Sequence, residues 1–106
     1  PEEHDSIIAY TSNLPHVTAV ALMDSVSFDE KTKYFVAGSF RDGTRVADIN
    51  PELRSSLFLA NKDKVATEID KYMEQLALWR DALRAGDEEQ LKSLMRLAAA
   101  RRKELY

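Results

Sequence analysis

The chain has 106 residues and a mass of 12.1 kDa, the size of one domain with room for a core. Lys and Arg number 15 against 18 Asp and Glu, for a net charge of −3 and a pI near 5.4, which argues against a nucleic-acid binder that works by phosphate neutralisation. Cysteine is absent, which excludes disulfides, thiolate chemistry and Cys-based metal sites. No apolar run approaches the ~20 residues of a membrane span, and no signal peptide is visible, which fits a cytoplasmic protein. The first residue is Pro1 rather than Met, so the chain reads as an excised piece of something longer.

Gly and Pro number three each, too few for a turn-rich all-β fold, while 31% of residues are charged and Leu and Ala dominate the apolar set. An all-α domain is expected. Residues 1–26 form the first helical segment, with Glu2 and Glu3 at the positive end of the dipole and apolar residues at Ile7, Ile8, Leu14, Val17, Val20, Ala21 and Leu22. Pro15 kinks or divides it, because proline lacks the amide donor and crowds the preceding turn. The hydroxyls of Thr11 and Ser12 are placed to satisfy polar groups at that kink. Residues 27–33 read as a loop. Residues 34–37 form a short strand-like run that Gly38 ends, and residues 39–48 hold one short helix.

Asn50-Pro51-Glu52 is a helix start: an Asn cap, Pro at the first position and an acid in the first turn. Apolar residues then recur from Leu53 through Val65, Tyr72, Met73, Leu76 and Trp79 to Leu83, until Gly86 stops the pattern. This run reads as one helix of 35 residues and ~52 Å, or, broken near Asn61, leaves a rod of about 36 Å. Asp87 caps the last helix, with Gln90 placed to complete a capping box. Arg101, Arg102 and Lys103 lie in its last turn, where cations complement the dipole. A compact globule of ~100 residues has a radius of gyration near ~13 Å. A 52 Å rod with apolar residues along its length does not fit inside one, so part of the stripe must meet another chain or domain.

His4 and His16 are the histidines. They are twelve residues apart, about 120° around a helix axis, so they share no face and make no metal site together. On spacing alone, isolated histidines are more often structural than catalytic. The glycines of Gly38-Ser-Phe-Arg-Asp-Gly43 have neither the spacing nor the strand-to-helix setting of a dinucleotide fingerprint, so the residues define no cofactor site. Arg41, Asp42, Thr44 and Arg45 form a polar cluster beside Gly38 and Gly43, where backbone can approach a ligand closely. Arg is suited to bidentate capture of a carboxylate, and Asp42 is placed to orient an Arg or cap the short helix. An ordinary surface loop with a routine cap and ion pair accounts for the same residues.

Four blocks in order carry a resemblance: Pro1-Glu-Glu-His-Asp5, Thr11-Ser-Asn-Leu-Pro-His16, Gly38-Ser-Phe-Arg-Asp-Gly-Thr-Arg45 and Asn50-Pro-Glu-Leu53. Together they resemble the C-terminal helical domain of the prephenate dehydrogenase family over nearly the whole chain. The resemblance implies an all-α bundle with two long antiparallel helices, intertwined as a homodimer like the C-terminal domain of 6-phosphogluconate dehydrogenase. It implies oxidative decarboxylation of prephenate or arogenate, with NAD or NADP bound mainly by an N-terminal dinucleotide domain that also holds the main catalytic histidine. Residues 1–106 would then be the dimerisation and substrate-binding part, inactive alone and without a catalytic residue of its own.

By position in the matching blocks, Arg45 binds a substrate carboxylate and His16 lines the substrate pocket. Asp42 and Gly38 fall on pocket-wall or supporting positions, and His4 has a less defined role. Asn13 stands where many members have a second histidine, Arg54 where a tryptophan is common, and Gly43 where a larger residue is usual. These departures bear on pocket shape and on prephenate against arogenate. Some members carry a regulatory ACT domain after these helices. The competing reading is a non-enzymatic helical interaction module. Nucleic-acid binding through Arg96, Arg101, Arg102 and Lys103 is disfavoured by the acidic balance, and no membrane partner is expected.

Overall fold

The order of elements follows from where the chain can and cannot supply helical hydrogen bonds. The computed structural model describes residues 2–25, 29, 31–34 and 38–106. All regular structure among them is helical. Helix α1 spans Glu2–Ile8, with Glu2, Glu3 and Asp5 in its first turn. A π-helical turn, Ala9–Asn13, follows and passes into α2, Leu14–Asp24, with Pro15 in its first turn. Pro15 thus divides the segment, and the division is a widened turn. The Leu14 N–H reaches back five residues to the Ala9 carbonyl, which makes room where the proline ring would crowd the preceding carbonyl.

A 3₁₀ turn spans Thr32–Tyr34, after an Asp29 side chain that accepts from the Lys31 N–H at 2.8 Å. The strand-like run therefore begins in a 3₁₀ turn at Tyr34, and its remainder, residues 35–37, lies outside the described residues. Gly38 opens helix α3, Gly38–Thr44, rather than closing a strand, and a separate 3₁₀ turn, Arg45–Ala47, follows. The one short helix expected over residues 39–48 is thus two pieces. The Thr44 hydroxyl donates to the Phe40 carbonyl at 2.8 Å at the end of α3, where the backbone tightens.

Helix α4 spans Pro51–Ala60, capped by Asn50, whose side chain accepts from the Leu53 N–H at 3.2 Å. The long run does break at Asn61, and α5 occupies Lys62–Ala85, about 36 Å. The Asn61 side chain donates to the Asp5 carbonyl at 2.9 Å, tying the break to α1. Helix α6 spans Glu88–Leu105. Gly86 joins it to α5 at φ +66, with the Asp87 N–H on the Ala82 carbonyl at 2.9 Å and the Gly86 N–H on the Leu83 carbonyl at 3.2 Å. That bonding is a Schellman closure. It corrects the expected capping box. The Asp87 side chain caps the Gln90 N–H at 3.0 Å, but the Asp87 N–H is already bound to Ala82 and does not take the Gln90 side chain. At the other end of α6, Arg102 and Lys103 fall in the last turn, and the Arg102 guanidinium lies 4.5 Å from the Tyr106 ring centre.

The chain divides into two compact units, Pro1–Ile69 and Asp70–Tyr106. In the first, Ala9, Leu14, Ala19 and Val65 are buried together with one polar residue, Asn13. The small side chains let α2 pack closely against α3 and against the Arg45–Ala47 turn. In the second unit Ala82 is the buried residue, while Met73, Leu76, Leu83 and Met95 stay half or more exposed. No helix among the described residues is long and apolar enough to cross a membrane.

Candidate functional site

Asn13, His16, Gly38, Asp42 and Arg45 all belong to the first unit, on elements that pack on α2 or are continuous with it. Asn13 closes the π-helical turn and His16 lies in the first turn of α2. Gly38 and Asp42 are in α3, and Arg45 begins the 3₁₀ turn that packs on α2. The turn that begins at Arg45 is thus brought back against the helix that follows Asn13. Within the turn, Val46 and Ala47 are half-buried and Arg45 is exposed. The apolar pair anchors the turn and leaves the guanidinium to solvent.

The Arg45 guanidinium forms no ion pair or hydrogen bond among the described residues, and the same holds for the side chains of Arg41 and Asp42. Asp42 therefore neither orients an arginine nor caps α3, contrary to both roles open to it in the sequence. An exposed pair of this kind gains little in water, about 0–1 kcal/mol, so nothing compels it to form. Among the described residues, all donors of this guanidinium are left available.

His16 is half-buried, and its Nδ1 lies 2.8 Å from the Ser12 carbonyl. A carbonyl only accepts, so Nδ1 carries the hydrogen, and when the ring is neutral the lone pair is on Nε2. The sequence pointed to the Ser12 hydroxyl at this kink. The group that acts is the Ser12 carbonyl, and Pro15, three residues on, is the signal that could have found it. The Thr11 hydroxyl does what was expected and donates to the Ile7 carbonyl at 2.8 Å. Asn13 is only 6% exposed, yet its side chain makes no hydrogen bond among the described residues. No fully inaccessible side-chain polar atom lacks a partner there, so the amide keeps a narrow opening to solvent.

His4 pairs with Asp5 at 3.5 Å on the exposed surface of α1. Arg54, half-buried in α4, makes no ion pair among the described residues. No group of three metal-ligating side chains is found among them either. Gly38 and Gly43 have open space where a Cβ would stand, but both lie within one short helix. They form no cradle for a dinucleotide phosphate. An open depression of about 420 Å³, lined by Ala99, Arg102, Lys103 and Tyr106, belongs to the second unit and contains none of these residues.

The chain is 34% identical over 95 residues to the prephenate dehydrogenase of Bacillus subtilis, covering 86% of the chain and 26% of that protein. It is 37% identical over 95 residues to the cyclohexadienyl dehydrogenase of Zymomonas mobilis, covering 85% and 32%. The chain thus spans a third or less of the curated relatives it matches. Among solved structures, Synechocystis arogenate dehydrogenase matches with a TM-score of 0.90 at 21% identity, over 100% of this chain and 40% of that one. The likeness there is one of fold. Prephenate dehydrogenase from A. aeolicus, solved with hydroxyphenyl propionate and NAD+, matches with a TM-score of 0.77 at 31% identity, over 97% and 38%. The family model for the dimerization domain of prephenate dehydrogenase matches residues 1–97, and the chain belongs to that family.

Proposed function

We propose that this chain is the dimerisation and substrate-closing part of an enzyme that oxidatively decarboxylates prephenate or arogenate with NAD or NADP. Its contribution is positioning rather than bond-breaking. Arg45 holds a substrate carboxylate through a paired set of N–H donors. His16 and Asn13, three residues apart and so on one helical face, line the ring side of the pocket, with Gly38 and Asp42 forming part of its wall. Fixing the carboxylate fixes the ring carbon that loses hydride, and such orientation can supply much of a rate enhancement. The nucleotide is held elsewhere in the parent enzyme, since the glycines here form no phosphate cradle. The chain alone is therefore expected to bind a second copy of itself and to turn nothing over.

The observation that carries the reading is a guanidinium without a partner among the described residues, on a turn packed against the helix that holds His16, in a chain of this family. The test is Arg45→Ala in the parent enzyme. Loss of a charge-assisted contact costs about 1.5–3 kcal/mol, roughly a tenfold to hundredfold rise in KM for the cyclohexadiene substrate. KM for the nucleotide should stay as it was, and equal rises in both would refute the role. A non-enzymatic interaction module predicts no change in either constant. Light scattering of the chain alone should give a dimer at micromolar concentration, and a monomer would count against the assembly.

A further inference from the structure

We propose that the widened turn before Pro15 is a positioning device that fixes the tautomer of His16, so that the Nε2 lone pair is the atom offered to a ligand. The inference rests on the functional reading above and adds to it which ring nitrogen acts and what holds it. Backbone carbonyls around this turn are one donor short, because Pro15 has no N–H. The acceptor that Pro15 leaves unserved one turn back is the Thr11 carbonyl; beside it, the Ser12 carbonyl accepts from the His16 Nδ1–H at 2.8 Å. Histidine in water favours the tautomer with hydrogen on Nε2, so the turn selects the less common form. Short π-helical turns are frequent where a helix has been adapted for function. Here the turn spans Ala9–Asn13, ending two residues before the proline.

The chemical consequence concerns the ligand. With Nδ1 committed, the neutral ring presents an acceptor at Nε2, which makes no hydrogen bond among the described residues. It takes a hydrogen-bond donor of the ligand. Asn13, three residues earlier and 6% exposed, adds an amide whose hydrogen-bonding groups are likewise uncommitted. Together they make a polar face distinct in role from Arg45: the guanidinium takes the charge, and the imidazole reads a donor.

The test is nitrogen NMR of the His16 ring in the intact chain, at a pH where the ring is neutral. The wild type should show hydrogen on Nδ1 and a lone pair on Nε2, the two nitrogens resonating far apart. Ser12→Ala keeps the carbonyl and should leave this pattern unchanged. Pro15→Ala allows regular helical bonding across the turn, with the His16 N–H on the Ser12 carbonyl, and should move the ring toward the common tautomer, with helix content by circular dichroism as the folding control. A wild-type ring with hydrogen on Nε2 would overturn the proposal outright. A Pro15→Ala ring that keeps the wild-type pattern would remove the turn from the account, and a Ser12→Ala ring that loses it would give the role to the hydroxyl. None of these readouts uses substrate. They therefore stand apart from the Arg45 kinetics, whose failure would sink the functional reading and leave the tautomer result intact.

Discussion

Replacing Gly86 isolates one energetic cause. The residue sits at φ +66, closing α5 onto α6 through the Schellman bonds of Gly86 and Asp87. A Cβ added there would meet no atom within 4 Å. Steric clash with neighbours is thus absent, and the cost of Gly86→Ala is that of holding an L-residue in the left-handed region, about 1–2 kcal/mol. Reduced freedom of the unfolded chain offsets about 0.4–1 kcal/mol of this. The net expectation is about 1 kcal/mol of destabilisation, or roughly 4–8 °C in Tm for a chain of this size. Gly86→Asn should cost less, since Asn tolerates this conformation, and Gly86→Val should cost more, since a β-branched residue does not. Thermal unfolding of the three variants at one fixed protein concentration gives the order Gly, Asn, Ala, Val. An Ala variant as stable as the wild type, or a Val variant more stable than Ala, would show that the turn does not depend on positive φ.

Asn61→Ala removes the 2.9 Å bond to the Asp5 carbonyl and should cost about 1 kcal/mol, read as a few degrees in Tm. Asn61→Asp keeps the shape but has no N–H to donate, so it should do no better than Ala; a stable Asp variant would mean that the bond is not what ties α1 to the break. Leu76→Glu, at a position half exposed on α5, should weaken self-association at least tenfold in sedimentation equilibrium, because a homodimer carries the change twice. Unchanged sedimentation would place the interface elsewhere.

Local chemistry was legible in the sequence and non-local chemistry was not. The caps at Asn50 and Asp87 and the stop at Gly86 depend on groups within one turn, and all three form as read. The capping box failed at its second half, because the Asp87 N–H had a better use in closing α5, a competition between two adjacent motifs. Pro15 announced a disturbance, but whether it becomes a kink or a widened turn depends on which carbonyls find donors. The break at Asn61 was left open because its stabilising partner, the Asp5 carbonyl, lies 56 residues away. In α3 two glycines, each costing about 1 kcal/mol against Ala in a helix, gave no helical signal at Gly38. Packing on α2 outweighs that preference. At the site, residue types were legible and pairings were not: Asp42 was offered to the arginines and takes neither.

The two units differ in what they bury, and the difference bears on how folding and assembly are connected. The first closes a small core around Ala9, Leu14, Ala19 and Val65. The second buries Ala82 and leaves nine large apolar side chains 40–89% exposed. Full burial of one such side chain stabilises by about 1.5–3 kcal/mol, so covering the exposed half is worth about 1 kcal/mol each. The sum approaches the 5–15 kcal/mol that is the whole stability of a typical domain. A second copy of the chain covering some of these side chains, as proposed above, would therefore contribute a sizeable share of what the fold of one copy does alone. Folding and association would then be one equilibrium, with Tm rising as protein concentration rises. The division of labour in the chain follows from this. Arg45 and His16 lie in the unit that has its own core, while the second unit leaves most of its large apolar residues exposed.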